Sequence, residues 1–113
     1  MFVYNGKNYF TAYEITRYMN LGTDEDFKKL NDLFHVTYEK SPLIELTAHY
    51  VTQKLYAAIK HNLISYVSFK KKTDIIYYGF TIESVRKFLE SYRSRNIMSE
   101  GVKVLKEVEV EYN

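Results

Sequence analysis

The chain has 113 residues, 46% of them apolar, with 12 Tyr and 7 Phe, enough to build a compact core and to exclude a disordered segment. It contains no cysteine, which removes disulfide frameworks and thiolate metal sites. Net charge is only +2, no apolar run approaches the roughly 18 residues that cross a bilayer, and the N-terminus lacks a secretory apolar segment, so a cytoplasmic protein is expected.

Residues 1–4 and 7–10 read as two short strands joined by Asn5–Gly6, since both central residues of a type I′ turn need positive φ. Thr11 opens a helix with Ile15, Tyr18 and Met19 on its apolar side, ending near Leu21 and Gly22. Thr23 is expected to cap a second helix. Asp24, Glu25 and Asp26 complement its dipole, and Phe27, Leu30, Leu33 and Phe34 form its apolar stripe. The next stretch is open. Residues 36–39 and 43–46 fit two strands around Lys40, Ser41 and Pro42. The preferred reading is a helix from Pro42 to about His49, with Ser41 as its cap and Pro42 at the first helical position.

A helix follows over residues 52–62 with Leu55, Ile59 and Leu63 inward. Residues 64–69 and 75–80 form a two-stranded ribbon tipped by Lys70, Lys71, Lys72 and Thr73. Thr81 caps a helix over 82–93, whose inward positions are Val85, Phe88 and Leu89. Val51, Leu55, Ile59, Leu63, Val67, Val85, Phe88 and Leu89 are expected to be buried together. At the end, Val104, Val108, Val110 and Tyr112 alternate with charges, which suits an edge strand or a flexible tail over 97–113.

One pattern recurs three times. Phe10–Thr11 precedes Ile15 and Met19, Leu46–Thr47 precedes Val51 and Leu55, and Phe80–Thr81 precedes Val85 and Leu89. Each is an apolar strand end, a Thr cap and a helix turning inward. Convergence on a common local solution explains this, or else duplication of a helix, helix and ribbon unit over 1–46 and 47–96. The duplication would make 43–46 a strand and argues against the Pro42 helix.

Charge is distributed unevenly. Residues 46–73 hold five lysines and no Asp or Glu, whereas residues 22–45 hold six acids against three lysines. Such a basic face calls for a polyanionic partner. Residues 45–80 read as helix, short turn, helix and lysine-tipped ribbon. That is the order of a winged helix-turn-helix, in which the second helix enters a DNA groove and the ribbon follows the phosphates. The expected fold class is therefore α+β, with residues 1–96 as a winged-helix domain.

The Thr-capped helix, second helix, ribbon and closing helix over residues 9–95 resemble the excisionase and MerR-type winged-helix proteins. The tandem form is similar to the TraN-type transfer regulators of Gram-positive conjugative plasmids. The resemblance implies a small regulator or accessory factor of a mobile element, acting in transfer, excision or transcription.

If the helix over 52–62 reads double-stranded DNA, its first turn supplies the base contacts: Thr52, Gln53, Lys54 and Tyr56. Gln pairs bidentately with adenine, Lys reaches guanine, and Thr meets a thymine methyl. Lys60, His61, Lys70, Lys71, Lys72 and Thr73 are the expected phosphate contacts. Arg86, Lys87, Arg93 and Arg95 alternate with Glu83 and Glu90 and read as a solvated face with local ion pairs.

No catalytic, metal or cofactor site is expected. His35, His49 and His61 lack ligand spacing, the four glycines are scattered, and Ser41, Ser65 and Ser68 have no base neighbour. The chain is expected to be a monomer in solution that pairs on DNA, with a tandem monomer as the rival arrangement. A second functional class remains. The acids at 24–26 and the alternating C-terminal segment also suit a phage- or plasmid-type inhibitor that binds a protein.

Overall fold

A computed structural model describes residues 1–70, 75–93 and 109–111. The fold is α+β. A hairpin of β1 (Phe2–Tyr4) and β2 (Lys7–Tyr9) leads into α1 (Ala12–Leu21), α2 (Glu25–Thr37) and α3 (Ala48–Lys60). Strands β3 (Val67–Lys70) and β4 (Ile76–Gly79) form the ribbon before α4 (Ile82–Arg93), and β5 (Glu109–Glu111) follows. β1 pairs antiparallel with β2, while the second sheet has the order β4-β3-β5, with β5 parallel to β3. No helix among the described residues is long and apolar enough to cross a membrane.

Local chemistry explains most of these boundaries. Asn5 (φ 52°) and Gly6 (φ 75°) take the two positive φ values that a type I′ turn requires. Thr11, Thr47 and Thr81 each cap the helix that follows, with Oγ1 accepting from the N–H of Glu14, Tyr50 and Ser84. Glu14 returns the favour to the Thr11 N–H at 3.0 Å, completing a capping box. The cap of α2 is Asp24 rather than Thr23, because the Asp24 carboxylate accepts from both Asp26 and Phe27 N–H groups.

The two hairpins are joined back to back. Phe10 and Phe80, one residue beyond each hairpin, exchange reciprocal backbone hydrogen bonds of 2.8 Å. The Phe2 ring packs edge-on to Phe69, 4.5 Å away, and lies on Gly79. Around this junction α1 packs on α3, α2 on α4 and α1 on α2. Ile15, Phe34, Val51, Leu55, Ile64, Phe80, Val85 and Leu89 are fully buried in the shared core. Of the eight predicted core residues, Phe88 is also buried in this core, Val67 is buried but outside it, and Ile59 and Leu63 pack half-buried against it.

The segment after α2 departs from expectation. Residues 36 and 37 belong to α2, and residues 41–47 form a turn and an extended run, not a helix from Pro42 and not two strands. Ser41 makes one turn only, with its Oγ accepting from Leu43 N–H and its carbonyl from Ile44 N–H. Tertiary partners hold the carbonyls that a helix would have used. Ile44 O lies 2.7 Å from His35 Nε2, and Leu46 O accepts from Asn20 Nδ2 at 3.0 Å. The helix therefore starts at Ala48, four residues before the predicted start, and ends at Lys60, with His61 as its C-cap.

A second correction concerns the layout. The helix before the ribbon is reached by a ten-residue connection from α2, so the expected helix-turn-helix over 45–62 is absent. The three-residue turn belongs instead to α1 and α2, where Gly22 adopts φ 66°. The duplication reading also loses its first ribbon between α2 and α3. What repeats is hairpin, Phe, Thr cap and helix, at Phe10 and at Phe80.

Candidate nucleic-acid interface

α3 presents its polar residues on one broad side because Val51, Leu55 and Ala58 turn inward. His49, Gln53, Tyr56, Ala57 and Lys60 are exposed along it. The Ala57 methyl in the middle of this stripe lets another surface come close to the helix backbone. The helix carries no acid anywhere along its length, so nothing on it repels an anion.

The four predicted base-contact residues do not share one face. Residues two apart on a helix diverge by about 200°, so Thr52 and Lys54 lie on opposite flanks, with exposed Gln53 between them. On one flank, Thr52 and Tyr56 border a groove of about 490 Å³ whose other walls include Tyr13, Arg17, Phe69 and Tyr77. Tyr56 stands edge-on to Tyr78 at 5.1 Å, and Tyr78 in turn meets Tyr66 at 5.4 Å. Burial, reinforced by Tyr78 and Tyr77, pushes the Tyr56 phenol above its ordinary value, so it stays a neutral hydroxyl that can donate to an anion.

On the other flank, the Lys54 ammonium sits 5.0 Å from the Tyr38 ring centre and 5.1 Å from that of Tyr50. Lys40, from the connection after α2, lies 5.0 Å from the same Tyr50 ring. Burial, and then Tyr92, raises the Tyr50 phenol. Sequence reading missed Lys40, Arg17 and the tyrosines around Lys54. Their partners lie far away along the chain, and only the exposed Tyr13–Arg17 spacing on α1 carried a local signal.

The ribbon extends this surface. Ser68 pairs with Tyr78 and Lys70 with Ile76, so these four residues share one ribbon face. Ser68 is buried and Tyr78, which meets Tyr56, packs half-buried against the core, while Lys70 and Ile76 carry that face outward. Lys70 is half-buried at the end of β3, and Lys60 and His61 are exposed at the end of α3. Lys71, Lys72 and Thr73 lie outside the described residues. The one carboxylate bordering the groove is already engaged. Burial alone would raise Glu14, but hydrogen bonds and charge from the Met1 amine, with those from Thr11, hold it below its ordinary value.

The acids collect elsewhere. Asp26, Asp32 and Glu90, together with Lys29 and Arg86, border a second groove, of about 380 Å³, between α2 and α4, floored by Leu30, Leu33, Val36 and Ile82. Beside it Arg86 bridges Glu83 and Glu90 at 3.8 and 3.7 Å, and Lys87 approaches Glu83 at 3.9 Å. These exposed pairs add little stability, but they offset the charge of Arg86 and Lys87. Among the described residues no three His, Asp or Glu side chains gather where they could hold a metal ion.

No protein-family model matches the chain, and neither the curated proteins nor the solved structures compared with it include a match.

Proposed function

We propose that the protein binds double-stranded DNA in a sequence-dependent way, with the exposed face of α3 in the major groove and the β3–β4 ribbon along the phosphates. The observation that carries this reading is the acid-free face of α3 continuing through Tyr56 and Tyr78 onto the ribbon face of Lys70. A helix with its side chains is about 10–12 Å across, which suits a major groove about 12 Å wide. In this arrangement Gln53 is the base-reading residue, Thr52 and Tyr56 face the ribbon-side wall, and Lys60, His61 and Lys70 meet phosphates. These residues supply the winged-helix role. The resemblance to excisionase and MerR-type proteins suggests a regulator or accessory factor of a mobile element.

Titration with labelled duplexes at low and moderate salt tests the proposal. Binding that weakens steeply as salt rises supports it, because released counterions dominate such affinities. Absence of binding to any duplex at low salt overturns it. A second reading draws on the α2–α4 groove, whose apolar floor and rim of mixed charge suit an amphipathic helix or peptide of a protein partner. In that case the chain is an inhibitor or adaptor, and a pull-down is retained by surfaces on α2 and α4 while duplexes are ignored.

A further inference from the structure

Two lysines from distant parts of the chain converge on one tyrosine ring. Lys40 leaves the C-terminal end of α2, where Glu39 takes φ 53° and the Lys40 N–H bonds back to the His35 carbonyl at 2.8 Å. That reversal is a Schellman-type cap, and it fixes the direction in which Lys40 departs. Lys54 rises from the second turn of α3. Both ammonium groups stand about 5 Å from the Tyr50 ring centre, and Lys54 also covers Tyr38.

A ring face attracts each cation, but the two cations repel each other. They lie within about one Debye length, roughly 10 Å at 0.1 M salt, so the repulsion is only partly screened. Among the described residues neither lysine has an ion-pair partner. An anionic backbone beside both would relieve the repulsion and find a phenol nearby, and Tyr50 is a neutral hydroxyl at ordinary pH like any tyrosine, the more so as burial and then Tyr92 raise it. Two cations and a hydroxyl donor along one flank fit the phosphates of one nucleic-acid strand.

The position matters as much as the chemistry. Thr52 and Tyr56 face the ribbon, whereas Lys54 faces the opposite way. We infer that Lys40 and Lys54, held over Tyr50, form a second phosphate-contact site on the flank of α3 away from the ribbon. α3 is then gripped by both backbone walls of a single groove, with Lys70 on one wall and Lys40 and Lys54 on the other. The inference rests on the DNA-binding reading above and reassigns Lys54 from base reading to backbone contact.

The test is a salt series of fluorescence-anisotropy titrations with a labelled random-sequence duplex, for which phosphate contacts supply nearly all the affinity. The double variant Lys40→Ala/Lys54→Ala should flatten the slope of log K against log salt by about two, one per lysine. Lys40→Arg/Lys54→Arg should keep the wild-type slope, and so should Lys87→Ala, whose ammonium lies on α4 3.9 Å from Glu83. Thermal melts of each variant verify folding. A double alanine variant that is folded and retains the wild-type slope overturns this inference alone. A wild-type protein that binds no duplex at low salt overturns the DNA-binding reading and this inference with it.

Discussion

His35 offers a quantitative test of how the connection after α2 is held. The ring is only 5% exposed, with Nδ1 and Nε2 each 2.7 Å from a carbonyl oxygen, of Asn31 within α2 and of Ile44 across the connection. In His35→Ala the Asn31 carbonyl keeps its helical partner, but the Ile44 carbonyl loses the ring beside it. The freed Ile44 carbonyl is only part-buried and water can reach it, so the lost net hydrogen bond costs roughly 1 kcal/mol, and the space left by the buried ring adds about 1–3 kcal/mol. The expected loss is about 2–4 kcal/mol, read as a lower urea midpoint. At about 4 °C or more per kcal/mol for a domain near this size, melting should fall by roughly 10 °C. His35→Phe separates the causes, since it fills the space and still removes both contacts. Hydrogen exchange should then quicken at residues 44–47, and Lys40 should lose its fixed approach to Tyr50. An alanine variant within about 0.5 kcal/mol of wild type, or a phenylalanine variant as stable as wild type, refutes the reasoning.

Four further outcomes are expected. Gly79→Ala should destabilise by about 1–3 kcal/mol in denaturant titrations, because the new Cβ would lie 3.0 Å from the Phe2 ring and 3.3 Å from Tyr9 Cβ. Glu39→Gly should stabilise by roughly 0.5–1 kcal/mol by relieving a left-handed residue, whereas Asn62→Gly (φ 58°) should change little, since Asn tolerates that conformation. Leu55→Ala, at a fully buried position, should cost about 2–5 kcal/mol. Tyr56→Phe should shallow the alkaline loss of stability. Folding raises this phenol above 10.0, so its contribution is complete below the unfolded value and disappears as pH rises through the folded one. Melts between neutral and strongly alkaline pH check that sign.

Much of the architecture is local and was legible in the chain itself. Asn5–Gly6 determines the first hairpin because only certain residues take positive φ cheaply. Thr11 and Thr81 determine helix starts because a hydroxyl on an extended residue satisfies an orphan N–H, and Thr47 does the same in the recurring pattern though not in the preferred reading. The spacing of Phe27, Leu30 and Phe34 and that of Val85, Phe88 and Leu89 determine which helix faces turn inward. The acid-free run over residues 46–73 likewise marked the face on which the proposed function rests. Contacts between distant residues decided the rest. Pro42 and Ser41 carry a sound helix-start signal, yet His35 and Asn20 engage the carbonyls of Ile44 and Leu46, so the helix waits for Thr47. The reciprocal Phe10–Phe80 pair joins residues 70 positions apart, and no local pattern encodes it. Lys54 is a candidate base contact from its place in the first turn of the helix expected over 52–62. Its direction is set by Tyr38 and Tyr50, and only the packing of α3 against the chain that leaves α2 brings those rings together.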